Sequence, residues 1–110
     1  MRTAREFSTY VLDQLAPVGV IQTSHMFGGV LLKVNNKPLG VILSDTLYFK
    51  VKELELEEKF LDMDSQQLKY VRKGKDGPLV IQNWWSIPEE ILENKKELVG
   101  LAYEVLLQGT

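Results

Sequence analysis

Residues Val30 to Val51, VLLKVNNKPLGVILSDTLYFKV, decide the fold. Apolar and β-branched blocks at Val30–Val34, Leu39–Leu43 and Leu47–Val51 are separated by Asn35-Asn36-Lys37 and by Ser44-Asp45. Short apolar blocks punctuated this way predict three consecutive strands joined by tight antiparallel hairpins. Asparagine tolerates the left-handed backbone, so Asn35-Asn36 suits a type I′ turn. In the last block, alternation sets Leu47, Phe49 and Val51 toward a core and leaves Tyr48, Lys50 and Lys52 on the opposite face.

Upstream, Thr3 with Glu6 is a capping box, and Phe7, Tyr10, Val11 and Leu15 follow at helical spacing. That helix must stop near Ala16, because Pro17 pushes its predecessor out of the helical region. Downstream, Lys52–Asp64 is crowded with glutamates, which favour helix over strand, with Leu54/Leu61 and Leu56/Phe60 as its apolar stripe. Two further strands are expected at Gln67–Arg72 and Leu79–Trp85, divided by a turn at Gly74-Lys75-Asp76-Gly77-Pro78. Ser86 with Glu89 and Asn94 with Glu97 read as two more capping boxes, the second opening a helix over Lys95–Gln108 that stops at Gly109. Its inward residues are expected to be Leu98, Ala102, Val105 and Leu106. Gly100, which costs a helix about 1 kcal/mol against alanine, is read as a site of close packing. The expected fold is a single α+β domain over residues 1–110: two layers, a five-stranded, largely antiparallel sheet with helices on one face, in the order α-β-β-β-α-β-β-α.

Composition removes several chemistries. The 110 residues include no cysteine and one histidine, His25, which excludes disulfides, thiol nucleophiles, iron–sulfur clusters and Cys/His zinc sites. His25 has no partner at catalytic spacing. Ser24 beside it would point to the opposite face of a strand, so the pair does not read as nucleophile and base. Neither Gly28-Gly29 nor Gly74-Lys75-Asp76-Gly77 matches a dinucleotide or phosphate loop, and the bland reading of Gly28-Gly29 is a bulge or a close backbone approach. No catalytic residue, cofactor or metal is assigned. A net charge of −2 argues against an overall electrostatic grip on nucleic acid. The average conceals segregation: residues 1–52 carry +3, 53–66 carry −5, 67–85 carry +3 and 86–110 carry −3. The uncharged stretch Gln14–Leu32 is broken by proline, glycine and polar residues, so no membrane helix is expected. Acidic residues interrupt the N-terminus where an export signal would be apolar, making the cytoplasm the expected compartment.

Strand parity supplies the candidate surface. Tyr48, Lys50 and Lys52, joined by Lys69 and Lys73 and by one tryptophan of the Trp84-Trp85 pair, would form a lysine and aromatic face on the side of the sheet away from the helices. Such a face is either a platform for a protein partner, a weak nucleic-acid surface, or simply a solvated face.

Four short motifs recur in order: Met26-Phe27-Gly28-Gly29-Val30, Leu47-Tyr48-Phe49-Lys50-Val51, Tyr70 before Lys73-Gly74-Lys75, and Trp84-Trp85-Ser86-Ile87-Pro88-Glu89-Glu90. Together they resemble the N-terminal domain of the TfoX/Sxy family, over nearly the whole chain. The chain departs from the family pattern in the Lys52–Asp64 helix, and has Asn94-Lys95 where many members have Asp-Pro. The resemblance implies the element order read above and a link to bacterial competence regulation, in which full-length members act as coactivators with the cyclic-AMP receptor protein. It also implies a stand-alone member lacking the family's second, helical domain, and it brings no catalytic residues. Met26, Phe27, Gly28, Gly29, Trp84, Trp85, Pro88 and Glu89 are read as structural. The expected function is a non-enzymatic regulatory or protein-interaction domain whose partner is a protein such as a transcription regulator, with self-association into a homodimer a further expectation. The alternatives are direct nucleic-acid binding by the same surface and a small ligand-binding or enzymatic site at His25.

Overall fold

Helix α1, Ala4–Leu15, begins where its capping box places it, with Thr3 Oγ1 accepting the Glu6 backbone N–H at 3.1 Å. It buries Phe7, Val11 and Leu15 and closes in a 3₁₀ turn over Ala16–Val18. The computed structural model describes residues 3–71 and 78–108. The turn expected at residues 74–77, together with Arg72, Lys73 and the stop at Gly109, lies outside them.

Six strands follow: β1 Gln22–Met26, β2 Gly29–Val34, β3 Lys37–Leu43, β4 Thr46–Lys50, β5 Gln67–Val71 and β6 Pro78–Ser86. They form one sheet in the order β1-β2-β3-β4-β6-β5, every neighbouring pair antiparallel. The hairpins of the Val30–Val51 stretch are as read, and Asn35 (φ 52°) and Asn36 (φ 65°) both take the left-handed conformation of a type I′ turn. The count of five strands is corrected to six. Strand β1 was missed because Gln22, Thr23, Ser24 and His25 are all exposed, so this edge strand buries neither face and carries no apolar alternation.

Helix α2 (Leu54–Asp62), α3 (Glu89–Glu93) and α4 (Lys95–Leu106) complete the helical layer with α1. The main core lies between that layer and one sheet face: Phe7, Val11 and Leu15 meet Leu32, Leu39, Ile42, Leu47, Phe49 and Trp85, and Leu98, Leu101, Ala102 and Val105 from α4. Burying each such side chain contributes roughly 1.5–3 kcal/mol. Leu56 and Phe60 are the inward residues of α2, whereas Leu54 and Leu61 are exposed.

Two cap assignments at α3 and α4 come out differently. Asn94 caps α4, accepting the Glu97 N–H at 3.2 Å, as its spacing implies. Ser86 does not cap α3: it is the last residue of β6, its Oγ accepts the Gln66 N–H at 2.9 Å, and Pro88 holds the cap position without a side-chain bond. Gly100 is also not a packing glycine, since it is exposed and a Cβ there would meet nothing within 4 Å.

The second sheet face is not bare. Val41 and Leu68 are fully buried on it beside Trp84, and Met26, Phe27, Leu31, Leu43, Tyr48 and Ile81 pack against them. A bulge in β6 makes this possible. Gln67 pairs with Trp85 but Leu68 pairs with Ile81, leaving Gln82, Asn83 and Trp84 without counterparts on β5. Asn83 takes φ 76° at the bulge, and its carbonyl accepts the Val51 N–H at 2.7 Å. A bulge bends its strand and increases the local twist, and here it accompanies the packing of Leu68 and Ile81 with Val41.

Candidate interaction surface

The two adjacent tryptophans separate by strand alternation. Trp85 enters the main core, while Trp84 lies in the second cluster, 5% exposed. Lys50 pairs with Trp84 across β4 and β6, and its ammonium stands 4.6 Å from the indole centroid, within cation–π range. Tyr48, two residues back on the same face, is half-buried in the same cluster. Tyr48 and Lys50 thus lie on the second face, and the aromatic rings there fill an apolar cluster rather than standing in solvent.

Lys52 lies just past the end of β4 and is exposed. Its backbone is fixed by Gln108, whose Oε1 accepts the N–H groups of Lys52 at 2.6 Å and Glu53 at 3.0 Å and whose Nε2 donates to the Lys50 carbonyl at 2.8 Å. One buried side chain thus ties the end of α4 to the end of β4 and satisfies N–H groups at the start of α2, where Glu53 supplies no side-chain cap. Lys50 and Lys52 meet a third lysine, Lys37, around a notch of about 160 Å³ beside Leu106 and Gln108. Lys37 Nζ donates to the Leu106 carbonyl at 3.2 Å, a cation at the negative end of α4. Sequence reasoning passed over Lys37 and Gln108. The first was within reach, since extending the β3–β4 register of Gly40 with Phe49 sets Lys37 opposite Lys52.

Of the remaining residues of the expected surface, Lys69 does not join it. Lys69 is exposed on β5, but its neighbour Leu68 points into the second cluster, so Lys69 projects from the other face of that strand. Lys73 lies outside the described residues.

Burial lowers the pKa of Lys50, with the charge of Lys52 adding to the effect. Burial raises the pKa of Tyr48, opposed by a hydrogen bond with Thr46 and reinforced by Asp45.

The motif glycines have structural work. Phe27 (φ 56°) and Gly28 (φ 78°) form the left-handed turn between β1 and β2. A Cβ on Gly29 would collide with the carbonyl oxygen of Ile42 on β3. Met26 and Phe27 pack on the second cluster, and Pro88 and Glu89 form the start of α3, with Glu89 in its first turn. His25 is exposed on β1, beside a shallow cleft of about 320 Å³ that also touches Ser8, Gly28, Gly29 and Ser44. Among the described residues no three His, Asp or Glu side chains are grouped to hold a metal, and no helix is long and apolar enough to cross a membrane.

Compared with known families, residues 13–108 match the profile of the TfoX N-terminal domain. No curated protein matches the chain.

Proposed function

The chain belongs to the TfoX N-terminal domain family, a family of competence-related regulatory domains, and from that premise we propose that it is a non-enzymatic protein-interaction module that meets its partner with the Tyr48–Lys50–Lys52 surface. The partner is a cytoplasmic protein, a transcription regulator being the class that family membership favours.

The observation that carries this reading is Lys50 held over Trp84. A free lysine gives up about 2 kcal/mol of rotamer entropy when fixed in a contact, and one already stacked on an indole has lost part of that freedom before binding. Beside it, Tyr48 offers a half-buried ring and Lys52 and Lys37 offer cations at one end of the sheet. An aromatic and cationic centre of this kind suits a protein surface bearing carboxylates. Nucleic acid fits less well, because Trp84 is 5% exposed and presents no open face on which a base could stack.

Exchange of both lysines for glutamate tests the reading. Lys50→Glu/Lys52→Glu, with an unchanged circular dichroism spectrum, is expected to lose the proteins that co-purify with the wild-type chain from its native cells. A partner profile unaffected by the double exchange would contradict it.

A further inference from the structure

A second surface, which shares Gln108 with the lysine notch, lies on the helical layer. One stripe of α4 and the adjoining turn, Glu97, Gly100, Leu101, Glu104, Leu107 and Gln108, recurs at helical spacing and lines two neighbouring hollows against α2. The first hollow, about 330 Å³, has Gly100, Leu101, Met63 and Ile91 as its apolar floor. The second, about 400 Å³, is bounded by Leu56 and Leu107 with Glu53 and Glu55 at its margin. Lys59 and Glu104 line both, and their ion pair of 2.8 Å spans the line between them. Along α4 the stripe runs about 16 Å, three helical turns.

Gly100 explains the hollow. It is exposed, nothing beyond its own stretch of helix lies within 4 Å of where its Cβ would be, and it sits in mid-helix at a cost of about 1 kcal/mol against alanine. Its missing side chain leaves the space that an incoming group could fill. The charge around the groove is one-sided: residues 53–66 carry −5 and 86–110 carry −3, while the rest of the chain is positive. Lys59 is the one cation on the groove wall among the described residues, and its bridge to Glu104 joins two side chains that are 51% and 47% exposed. Such a pair is worth less than about 1 kcal/mol, so another cation can take its place at Glu104. Leu107, 66% exposed, adds apolar surface at the second hollow.

We infer that the α2–α4 groove is a docking site for a basic amphipathic helix of a partner protein, with one large aliphatic side chain seated over Gly100 and cationic side chains meeting Glu97 and Glu104. The apolar floor and acidic rim complement that occupant's two faces and repel an acidic one.

The test uses a pair of synthetic helical peptides of alternating leucine and lysine, or leucine and glutamate, at helical spacing. Binding to the full chain is followed by fluorescence anisotropy and by amide chemical shifts. The basic peptide is expected to bind, more weakly at high salt, with shifts along Glu97–Gln108 and Leu56–Met63, and the acidic peptide to bind at least about tenfold more weakly. Gly100→Leu, which fills the hollow where nothing stands in its way, is expected to weaken the basic peptide by about tenfold, the loss of one seated anchor. Glu97→Gln/Glu104→Gln, on the exposed rim, is expected to weaken it and flatten its salt dependence. Failure to bind at low salt would overturn the inference. So would equal binding by Gly100→Leu, which would mark the contact as unspecific charge attraction, or a concentration-dependent dimer abolished by Gly100→Leu, which would make a second copy the occupant. None of these results bears on the lysine face, whose exchange leaves the groove intact.

Discussion

Gln108 ties the end of α4 to the end of β4 and the start of α2. It is buried, its amide accepts the Lys52 and Glu53 N–H groups, and it donates to the Lys50 and Val105 carbonyls. Gln108→Ala would leave those backbone groups to find other partners, and the expected loss is about 2–3 kcal/mol, because an unmade partly buried bond costs more than a made one contributes. Thermal denaturation should show it as a fall of roughly 10–20 °C for a domain of this size. Glutamine at a chain end carries no signal of such a role in the sequence, since what matters is which backbone groups the fold brings within its reach. Lys50 makes a second prediction. Its pKa lies below the ordinary lysine value through burial, so in the interval just below pH 10.5 the unfolded state binds the proton more strongly and the contribution of Lys50 to stability rises with pH. Tyr48 acts oppositely above pH 10.0, where its raised pKa makes the folded state the better proton binder and its contribution falls as pH rises. An NMR titration should find the Lys50 ammonium losing its proton below the ordinary lysine value, with a concurrent change in the Trp84 indole signal. Titration of Lys50 at or above the ordinary lysine value would contradict the burial argument.

At the level of elements, the bulge in β6 shapes the second face. Asn83 holds φ 76°, where a residue with a Cβ is strained and asparagine is among the better tolerated. Asn83→Ala is expected to destabilise by about 1 kcal/mol while Asn83→Gly stays near neutral, a contrast that denaturant midpoints can resolve. Equal losses in both variants would point to the side chain rather than the backbone. The helices, the three hairpin strands and the Asn35-Asn36 turn were legible in the sequence because each buries one face or needs one special backbone angle. Strand β1 was not, because a strand exposed on both faces has no apolar period. The bulge was not legible either. Gln82-Asn83-Trp84-Trp85 fits regular alternation, and only the register change between Gln67 and Leu68 reveals that the parity breaks there. The break turns Ile81 to the face of Trp84, whereas Lys69 projects from the other side by plain alternation from Leu68.

Over the whole molecule, segregated charge becomes two surfaces. The residues of the acidic segments 53–66 and 86–110 form α2, α3 and α4, and three of the four lysines of the positive N-terminal half, Lys37, Lys50 and Lys52, gather at one end of the sheet. Exposed charges farther apart than about 8 Å are largely screened at physiological salt, so each surface acts on what touches it. The candidate site was therefore half legible: Tyr48, Lys50 and Lys52 follow from strand parity, while Lys37 and the burial of Trp84 follow from register and curvature. Family membership supplies the regulatory context, and the geometry supplies the surface through which it would act. Site-specific photocrosslinking in the native cells examines that surface directly, with a photoreactive residue at position 52 and, as control, at the exposed position 13 on α1. The predicted result is a discrete protein adduct from position 52 that is absent from position 13 and is lost when Lys50→Glu is added. Identical adducts from both positions, or none from position 52, would contradict the account.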